Sequence, residues 1–505
     1  MKARTQKSAA VPAGPPAQNA YDVATPPALI DFMVQGWRAP SAKPPPRIRG
    51  AAHFHARRRA LSALFPGETL VIPSGHEKVR ANDTTYRFRP GTDFYYLTGN
   101  QEPDCVLLMV PEAQGGHRDL LFVEPNPGKS DATFFTDRAK GELWVGPRLG
   151  VTQSQFRYDV HQACGLPDLK FELDAIDGTL ATGRKGKVRK PWRLLRGVDL
   201  ALDARLPAQK ERDPAFATAL SELRLIKDNL ELAELRRAIA STQRGFEDVI
   251  RRLPESSTER YVEGVFGLRA RVEGNDVGYG TIAAAGAHAC TLHWVRNDGP
   301  LKKGELLLLD AGVEGNALYT ADITRTLPIS GTFTPAQREI YELVLEAQRQ
   351  AFAQVKPGND FLDPHRAAMA VLAHGLERLG ILPTTAEEAL KQEHQFYKRY
   401  SLHGVSHMLG LDVHDCAQAR NEVYKFGQLR AGMVLTVEPG LYFQPDDLTV
   451  PARYRGIGVR IEDDVAVTAK GCTVLSDGIP REVRDVEAWM AGLWGRGGKT
   501  ARRRS

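Results

Sequence analysis

The hydrophobic pattern of the chain is most regular near its middle, where apolar runs end in carboxylates. The run Leu306–Leu309 is followed directly by Asp310. A short, continuous apolar run is typical of a buried strand, so Asp310 is predicted at the end of a strand, where an unpaired carboxylate is costly to ionise. Asp322 opens a second β-rich segment, 323–327. We expect a glycine-containing turn between the two strands to bring Asp310 and Asp322 face to face.

A second stretch, residues 430–442, repeats this pattern. A glycine, an apolar strand, a carboxylate and another glycine follow one another at the same spacing in both stretches: Gly304, Asp310 and Gly312 in the first, and Gly432, Glu438 and Gly440 in the second. A further carboxylate follows each stretch, Asp322 and Glu462 respectively. A single Asp in such a place is more often a capping or turn residue, but the duplication favours two half-sites. We expect four carboxylates on four strands, related by a pseudo-twofold axis.

The N-terminal part of the chain is predicted to be a separate α/β domain over residues 47–228. Strand-like runs there alternate with breaks that contain Pro and Gly. We predict a helix at Phe54–Leu64 and strands at Thr69–Ile72, Phe94–Leu97, Val106–Val110 and Leu120–Val123. The basic segment Thr182–Val198 is predicted to be a loop. Because no cluster of ligand residues occurs in this domain, we expect it to act as a scaffold and assembly surface.

A second domain over residues 229–494 contains the carboxylates. Dense charge pairs predict a helix at Ala217–Ala240 across the junction, and further helices are predicted at Ser241–Leu253, Pro335–Val355 and His365–Leu379. Residues 1–46 are rich in Pro and Ala, and residues 495–505 form a basic tail. Neither segment can bury enough apolar surface to offset the entropy of ordering, so we predict disorder in both.

The composition excludes several classes of protein. At 505 residues the chain is too long for one ordinary core, so we expect two or three domains. No apolar stretch is long enough to span a bilayer, and the N-terminus lacks the apolar region of a secretory signal. The five scattered cysteines form no CxxC pair, which disfavours a zinc–thiolate site and indicates a cytoplasmic protein.

The net charge of the chain is only +6. Much of it comes from the tails and from the run Arg184–Arg196. Runs of this kind are usually solvated faces or loops, so we expect no nucleic-acid partner. Binding of DNA or RNA by the basic tails is kept as an alternative, for which a steep salt dependence would be the signature.

Three histidines lie close together between the two half-sites, in the segment LHGVSHMLGLDVHD: His403, His407 and His414. A lone histidine on an apolar face is more often a core residue than a ligand. The neighbouring glycines and the repeated carboxylate pattern favour a functional site here. His293, just before the first half-site, is a less specific candidate.

One histidine added to two Asp and two Glu gives a donor set dominated by oxygen. Such a set suits hard divalent ions such as Mn²⁺ better than zinc. Four carboxylates balance two dications, which would leave a bridging water to become hydroxide. This is the arrangement of a two-metal hydrolase, whose ions lie roughly 3.5–4 Å apart.

Several strings make the chain similar to a known family: LLLLDAG, TADITRT, HGVSHMLGLDVHD, TVEPGLY, YRGIGVRIEDDV and, in the first domain, YRFRPGTDFYYLTGNQEPDCVLL. The chain resembles the pita-bread metallopeptidases, and among them bacterial aminopeptidase P, from about Ala51 to about Met490. The resemblance implies an α/β (α+β) fold, with an N-terminal creatinase-like α/β domain followed by a C-terminal pita-bread domain that contains the pseudo-twofold repeat.

The resemblance also implies roles for individual residues. Five residues match the metal ligands of the family: Asp310, Asp322, His407, Glu438 and Glu462. Asp322 and Glu462 match the carboxylates that bridge both ions. Three further histidines match residues that hold substrate and move protons: His293, His403 and His414. Tyr442 and Arg460 match residues that orient the ligand carboxylates.

The implied reaction is release of the N-terminal residue from peptides that have proline in the second position. A hydroxide bridging the two metals attacks the carbonyl before the proline, Glu438 accepts its proton, His414 stabilises the oxyanion and His403 acts on the leaving side. Two alternatives stay open: a prolidase, which uses the same metal core on dipeptides, and a non-catalytic pita-bread binding module. We expect a homodimer or homotetramer.

Three positions depart from the family pattern. Met408 lies where bacterial members often have an aromatic residue, Trp294 replaces a common Tyr, and Tyr95 lies in a segment that in the family reaches a neighbouring subunit. These departures concern pocket shape and assembly more than metal chemistry.

Overall fold

A five-stranded mixed sheet forms the centre of the N-terminal part in this computed structural model, which describes residues 25–38, 43–82, 84–177 and 191–501, with side chains as far as residue 495. The strand order is β6-β5-β4-β1-β7, with parallel pairing at both edges. The strands of this part, including a separate hairpin of β2 and β3, are β1 (Thr69–Pro73), β2 (Val79–Ala81), β3 (Thr84–Thr85), β4 (Val106–Pro111), β5 (His117–Val123), β6 (Gln162–Gly165) and β7 (Trp192–Leu194).

Both faces of this sheet are covered. Leu107 and Leu121 lie in one apolar cluster, whereas Leu108 and Leu120 lie in another on the opposite face, as expected for the two-residue period of a strand. The helices of this part are α1 (Pro27–Met33), α2 (Ala51–Leu64), α3 (Thr92–Thr98), α4 (Thr133–Thr136), α5 (Glu142–Val145), α6 (Val151–Tyr158), α7 (Leu169–Asp177), α8 (Leu200–Arg205) and α9 (Arg212–Leu223).

One predicted strand is wrong. Phe94–Leu97 lies within helix α3, not in a strand. The segment is only four apolar residues long, and a run of that length does not distinguish a buried helical turn from a buried strand. The predicted helix at Phe54–Leu64 and the strands at 69–72, 106–110 and 120–123 are confirmed.

The two helices at the domain junction are separated at a different place from the one we predicted, which was between Ala240 and Ser241. Helix α9 ends at Leu223, and helix α10 begins at Asn229 and continues without interruption past residue 240. Asp228 caps α10 and exchanges hydrogen bonds with Glu231 in a capping box. This Asp-x-x-Glu signal lies in the sequence, and our prediction of one helix over 217–240 overlooked it.

The C-terminal part contains two three-stranded antiparallel sheets, β12-β10-β9 and β13-β16-β17. Its strands are β8 (Asp276–Val277), β9 (Ile282–Ala285), β10 (Leu306–Ala311), β11 (Val313–Glu314), β12 (Ile323–Pro328), β13 (Val434–Val437), β14 (Gly440–Tyr442), β15 (Gly458–Arg460), β16 (Asp463–Val467) and β17 (Cys472–Val474). The pairs β10–β12 and β13–β16 correspond to the two halves of the sequence repeat.

Long helices pack behind these sheets. Phe246, Phe266, Val344 and Leu372 lie in one apolar cluster with Leu309 of β10, so the helices cover the face of the sheets that is turned away from the cleft described below. The helices are α10 (Asn229–Arg252), α11 (Glu259–Glu273), α12 (Pro335–Gln354), α13 (Asp363–Arg378), α14 (Ala386–Leu390) and α15 (Val483–Ala501). Those predicted at 335–355 and 365–379 are confirmed within two residues at each end.

The structure describes parts of the two segments that we predicted to be disordered and part of the predicted basic loop. Within the predicted N-terminal extension, Pro27–Met33 forms helix α1. The last helix, α15, continues beyond residue 494 to Ala501. Part of the predicted basic loop, Trp192–Leu194, is strand β7, and the rest of the basic run before residue 191 lies outside the described residues. None of the helices in the described part of the chain is both long and apolar enough to cross a membrane.

Candidate metal centre

Strand β10 places Asp310 at the cleft. Leu307 and Leu309 point into the helix-packed core, whereas Leu308 contacts Ile282 on the opposite face. Because side chains alternate along a strand, Asp310 lies on the same face as Leu308.

Two groups hydrogen bond to the Asp310 carboxylate. The Arg460 guanidinium donates to its Oδ2 at 2.5 Å, and the Tyr279 hydroxyl lies 2.6 Å from its Oδ1. Asp310 is therefore oriented by a cation and a phenol.

Asp322 reaches the same place from the start of β12. The Tyr279 hydroxyl lies 2.5 Å from Asp322 Oδ1, so one phenol contacts both carboxylates of the first half. The connecting chain must approach itself closely here, because a Cβ at Gly312 would lie 1.7 Å from the Ala321 carbonyl oxygen. Glycine at 312 therefore lets the turn close, as the sequence predicted.

The second half of the repeat supplies Glu438 and Glu462. Glu438 follows β13, and its backbone N–H donates to the Val405 carbonyl at 2.8 Å. Glu462 precedes β16, and its Oε2 accepts a hydrogen bond from the Thr324 hydroxyl of the first half at 2.7 Å. The two halves thus meet at their carboxylates.

His407 completes the cluster. Its Nε2 lies 3.3 Å from Asp322 Oδ2 and 3.5 Å from Glu438 Oε1. Its Nδ1 lies 3.2 Å from the Met408 carbonyl oxygen, so an Nδ1–H donated there leaves Nε2 directed at the carboxylates. This arrangement fixes the tautomer that a metal-binding histidine needs.

The carboxylates are close enough to disturb one another. Burial and the charge of Asp322 raise the pKa of Glu462 well above its ordinary value. Burial raises the pKa of Asp322 and raises that of Glu438 to about 7. Burial lowers the pKa of His407, but the adjacent Asp322 and Glu438 outweigh it and raise this pKa to about 9. Without an added cation, the cluster therefore retains protons.

The donor set fits a divalent metal. Asp322, His407 and Glu462 each present a ligand atom within 4.8 Å of the others, and Asp310 and Glu438 flank this trio. Carboxylate oxygens with one imidazole are hard-ion ligands, and a dication would replace the protons that the cluster otherwise holds. The residues therefore suit a divalent metal site.

A hydrogen-bonded chain runs from the cluster to His403. Arg460 Nη1 donates to the Tyr442 hydroxyl at 3.0 Å, and that hydroxyl lies 2.8 Å from His403 Nε2. His403 Nδ1 lies 2.8 Å from the Gly404 carbonyl oxygen. Burial and the charge of Arg460 lower the pKa of His403 to about 4. A neutral His403 that donates from Nδ1 and accepts the Tyr442 proton at Nε2 satisfies all of these contacts.

The candidate residues line one cleft of about 510 Å³. His293 and His414 lie at its exposed margin, and the His414 ring packs edge-on against the His407 ring, with 4.4 Å between centroids. Tyr442 does not line the cleft itself but contacts two residues that do, His403 and Arg460. The residues that line the cleft include His293, Asp310, Asp322, His403, His407, His414, Glu438, Arg460 and Glu462.

A buried glutamate supports the loop that contains His293. Glu259 is fully buried and accepts hydrogen bonds from the backbone N–H groups of Ala285 and Gly299. It also accepts one from Trp294 Nε1 at 2.9 Å, and its Oε1 lies 2.8 Å from His288 Nδ1. The Trp294 and His288 rings stack at 3.9 Å. The tryptophan that departs from the family pattern therefore contributes to loop structure.

Sequence reasoning missed Tyr279, Thr324 and Glu259. Tyr279 lies between two glycines, and no carboxylate pattern surrounds it. Thr324 is part of the TADITRT string but has no charge to attract attention. Glu259 is at the first position of helix α11, where a glutamate is ordinarily an exposed helix-end residue.

Comparison with known proteins agrees with this geometry. Residues 233–469 match the model of metallopeptidase family M24, and residues 54–180 match the model of the aminopeptidase P N-terminal domain. Xaa-Pro aminopeptidase 1 of Streptomyces coelicolor is 51% identical over 92% of both chains. Xaa-Pro aminopeptidase of Escherichia coli is 33% identical over 86% of this chain and 97% of its own.

A solved structure extends the similarity to three dimensions. Proline aminopeptidase P II from Yersinia pestis superimposes with a TM-score of 0.77 at 32% identity, over 87% of this chain and 99% of that chain. The predicted fold class, an N-terminal α/β domain followed by a pita-bread domain with an internal repeat, is confirmed. With half of its residues identical to a curated relative along nearly its whole length, the chain belongs to metallopeptidase family M24.

Proposed function

We propose that this protein is an Xaa-Pro aminopeptidase, a hydrolase that releases the N-terminal residue from peptides with proline in the second position. The observation that carries the proposal is the convergence of Asp310, Asp322, His407, Glu438 and Glu462 on one cleft. The similarity to proteins named Xaa-Pro aminopeptidase extends over both domains, so the proposal does not depend on the carboxylate cluster alone.

Those five residues are proposed to hold two divalent ions, which we take to be Mn²⁺ because the donors are mostly oxygen. Asp322 and Glu462, which offer ligand atoms within 4.8 Å of each other and of His407, would be central ligands of this site. Bound dications would lower the pKa of the attacking water and polarise the scissile carbonyl. Arg460 and Tyr279 keep the Asp310 carboxylate oriented.

Glu438 is the proposed base. Its carboxylate lines the cleft and lies 3.5 Å from His407 Nε2, and a carboxylate in that position can act as a general base. Its carboxylate also lies 3.5 Å from Nδ1 of His403, the residue that we assign to the leaving side. We propose that Glu438 accepts the proton of the water.

The histidines around the cluster are proposed to hold the substrate. Burial and the adjacent His407 lower the pKa of His414, so at neutral pH it is an uncharged donor. We propose that His414 donates a hydrogen bond to the carbonyl oxygen of the scissile bond as negative charge develops on that oxygen. His293, which also lines the cleft, helps hold the peptide, whereas His403, neutral and hydrogen bonded to Tyr442, orients the leaving side.

Proline at the second position suits such a site for two reasons. Its ring fixes the backbone dihedral, and its nitrogen lacks the N–H that an ordinary peptide would donate. A site that leaves this nitrogen without an acceptor discriminates against other residues, because their N–H would lose its partner on binding.

We further propose a domain boundary between residues 228 and 229, supported by the capping box that starts helix α10. The boundaries at residues 46 and 494 stay part of the same proposal. A cytoplasmic location is supported by five cysteines that are all free. Assembly as a homodimer or homotetramer is proposed from the family resemblance.

The deciding experiment uses metal-stripped protein and an Xaa-Pro-Yaa tripeptide, with and without Mn²⁺. Release of the N-terminal residue only with Mn²⁺ supports the proposal. Cleavage restricted to an Xaa-Pro dipeptide would assign prolidase activity instead, and inactivity on both peptides with bound metal would indicate a non-catalytic binding module.

A further inference from the structure

The loop that contains His414 is held by residues from outside the metal-binding domain. The loop runs from Gly410 to Asp415, between Leu409, whose N–H donates to Val434 O of β13, and the turn at Cys416. It has no helix or strand of its own. Two of its side chains, Asp412 and Asp415, point away from the metal cluster and meet charged partners, one on each side of His414.

Asp412 contacts the N-terminal domain. The Thr92 hydroxyl donates to Asp412 Oδ1 at 2.7 Å, and Arg89 Nη2 lies 3.3 Å from the same oxygen. Arg89 also donates to the Leu411 carbonyl at 2.6 Å and to Glu314 Oε2 at 2.6 Å. One arginine of the first domain therefore joins the His414 loop to strand β11 of the second.

Asp415 contacts the segment that links the two domains. Lys227 Nζ donates to Asp415 Oδ2 at 2.8 Å, and Arg224 Nε donates to Asp415 Oδ1 at 3.0 Å. Arg224 also pairs with Asp93 of helix α3. The Asp415 side chain is 1% exposed, so its charge depends on these cations.

The packing around Asp415 leaves no room for displacement. A Cβ at Gly410 would lie 2.1 Å from Asp415 Oδ2 and 2.9 Å from Lys227 Nζ, so glycine there is what allows the carboxylate to reach its cations. Although burial opposes ionisation, Lys227 and Arg224 lower the pKa of Asp415 to about 2. The Asp415 carboxylate is therefore ionised throughout the neutral pH range.

We propose that the segment Arg89–Asp93 and the linker residues Arg224 and Lys227 form a domain clamp that positions His414 for the reaction. This assigns the N-terminal domain a part in catalysis beyond scaffolding and assembly. The clamp rests on the proposed function, since it acts through His414. Its members are positioning residues, because they contact the loop and none of them lines the metal cleft.

Ordinary domain docking would use the same contacts but would have a different consequence. If the contacts serve docking alone, their loss lowers stability and leaves the turnover of the remaining folded enzyme unchanged. If they position His414, their loss lowers kcat in folded enzyme and has little further effect once His414 is gone. A one-ångström misplacement of a reacting group is enough to cost about a hundredfold in rate.

The test compares Thr92→Val with Thr92→Ser and Arg89→Met with Arg87→Met. Serine keeps the hydroxyl that binds Asp412, whereas valine removes it at nearly constant volume. Arg87 lies two residues from Arg89 and contacts Asn275 O and Asp276 of β8, not the His414 loop. Each variant is also made in a His414→Ala background. Thermal melting reports folding, and hydrogen exchange of residues 410–415 reports loop order without reference to activity.

We expect kcat to fall about tenfold to a hundredfold in Arg89→Met and about threefold to tenfold in Thr92→Val, because hydrogen bonds to charged groups are lost. The KM of these two variants should stay within about threefold of the wild-type value. The kcat of the control variants Arg87→Met and Thr92→Ser should also stay within about threefold. In the His414→Ala background, the losses of kcat should shrink to less than about threefold. Loop exchange should accelerate in Thr92→Val.

Equal losses of kcat in Arg87→Met and Arg89→Met would overturn the clamp. The same conclusion would follow if kcat fell as much in the His414→Ala background as in the wild-type background. It would also follow if hydrogen exchange of residues 410–415 were unchanged in Thr92→Val. If wild-type protein cleaves no Xaa-Pro peptide, the proposed function fails separately. The exchange comparison then still decides whether these contacts order the loop.

Discussion

Arg325 and Asp463 form a fully buried salt bridge between the two halves of the internal repeat. The Arg325 Nη2 to Asp463 Oδ1 distance is 2.8 Å, and neither side chain is exposed. Both residues occupy corresponding register positions: Arg325 pairs with Leu309, the residue before Asp310, and Asp463 pairs with Val437, the residue before Glu438. Because side chains alternate along a strand, the salt bridge lies on the opposite face of these strands from the carboxylate cluster.

Replacing Arg325 by Met should destabilise the protein by roughly 3–5 kcal/mol, because it leaves the Asp463 charge buried without its main partner. Chemical denaturation at neutral pH measures the change. The control is Arg349→Met, which removes a half-exposed pair with Glu482 and should cost about 1 kcal/mol or less. Similar costs for both variants would contradict the assignment of the salt bridge as a structural link.

Stability of the metal-free protein should fall as the pH rises. The pKa of Glu438 is raised from 4.5 to about 7, mainly by burial, and that of His407 is raised from 6.5 to about 9. A group with a raised pKa binds its proton more tightly in the folded state, so its contribution is present at low pH. The stabilising contribution of Glu438 is lost as the pH rises to about 7, and that of His407 is lost as the pH rises to about 9.

Melting temperatures in EDTA between about pH 7 and about pH 9 test this, since Glu438 and His407 bind more protons in the folded state over that range. His403, whose pKa is lowered to about 4, is largely neutral there in both states. Added divalent ion should stabilise the protein more at the alkaline end, because the metal displaces the same protons. A metal-free melting temperature that rises with pH would show that the cluster does not retain its protons.

The sequence revealed the parts of the site that have a local pattern. Asp310 and Glu438 were found because an apolar run ends at each of them at the same spacing. Tyr279 was missed because it has no repeat partner, and its role arises only when the fold brings β10 and β12 beside it. The pairing of Asp415 with Lys227 joins residues 188 positions apart, and no local rule connects them. Phe94 was misassigned because a short apolar run fits both a helix and a strand.

Removing the Tyr279 hydroxyl should weaken metal binding. Tyr279→Phe deprives Asp310 and Asp322 of their shared partner, and loss of a group that orients ligands typically costs about 10–100-fold in metal affinity. Calorimetric titration of metal-stripped protein with Mn²⁺ measures the affinity. Tyr261→Phe, at an exposed position on α11, is the matched control. Equal affinities in the two variants would exclude an orienting role for Tyr279.

Replacing His407 by Ala should lower metal-dependent turnover more than about a hundredfold, because the metal supplies several kcal/mol of transition-state stabilisation. Asp322→Ala should act in the same direction, and the circular dichroism spectra of both variants should match the wild type. His374→Ala, on the half-exposed face of α13, should retain full turnover. Full activity in either ligand variant would remove the basis of the metal-centre assignment.

Replacing Glu259 by Gln should lower turnover through the loop that contains His293. The amide offers one acceptor oxygen in place of two, and its N–H₂ group would face donors such as the Gly299 N–H and Trp294 Nε1. We expect kcat to fall about tenfold, the size of one lost hydrogen bond to a charged acceptor. Glu263→Gln, one turn further along α11, should leave kcat unchanged. If Glu259→Gln lowers kcat equally in a His293→Ala background, the buried carboxylate acts on the site by another route.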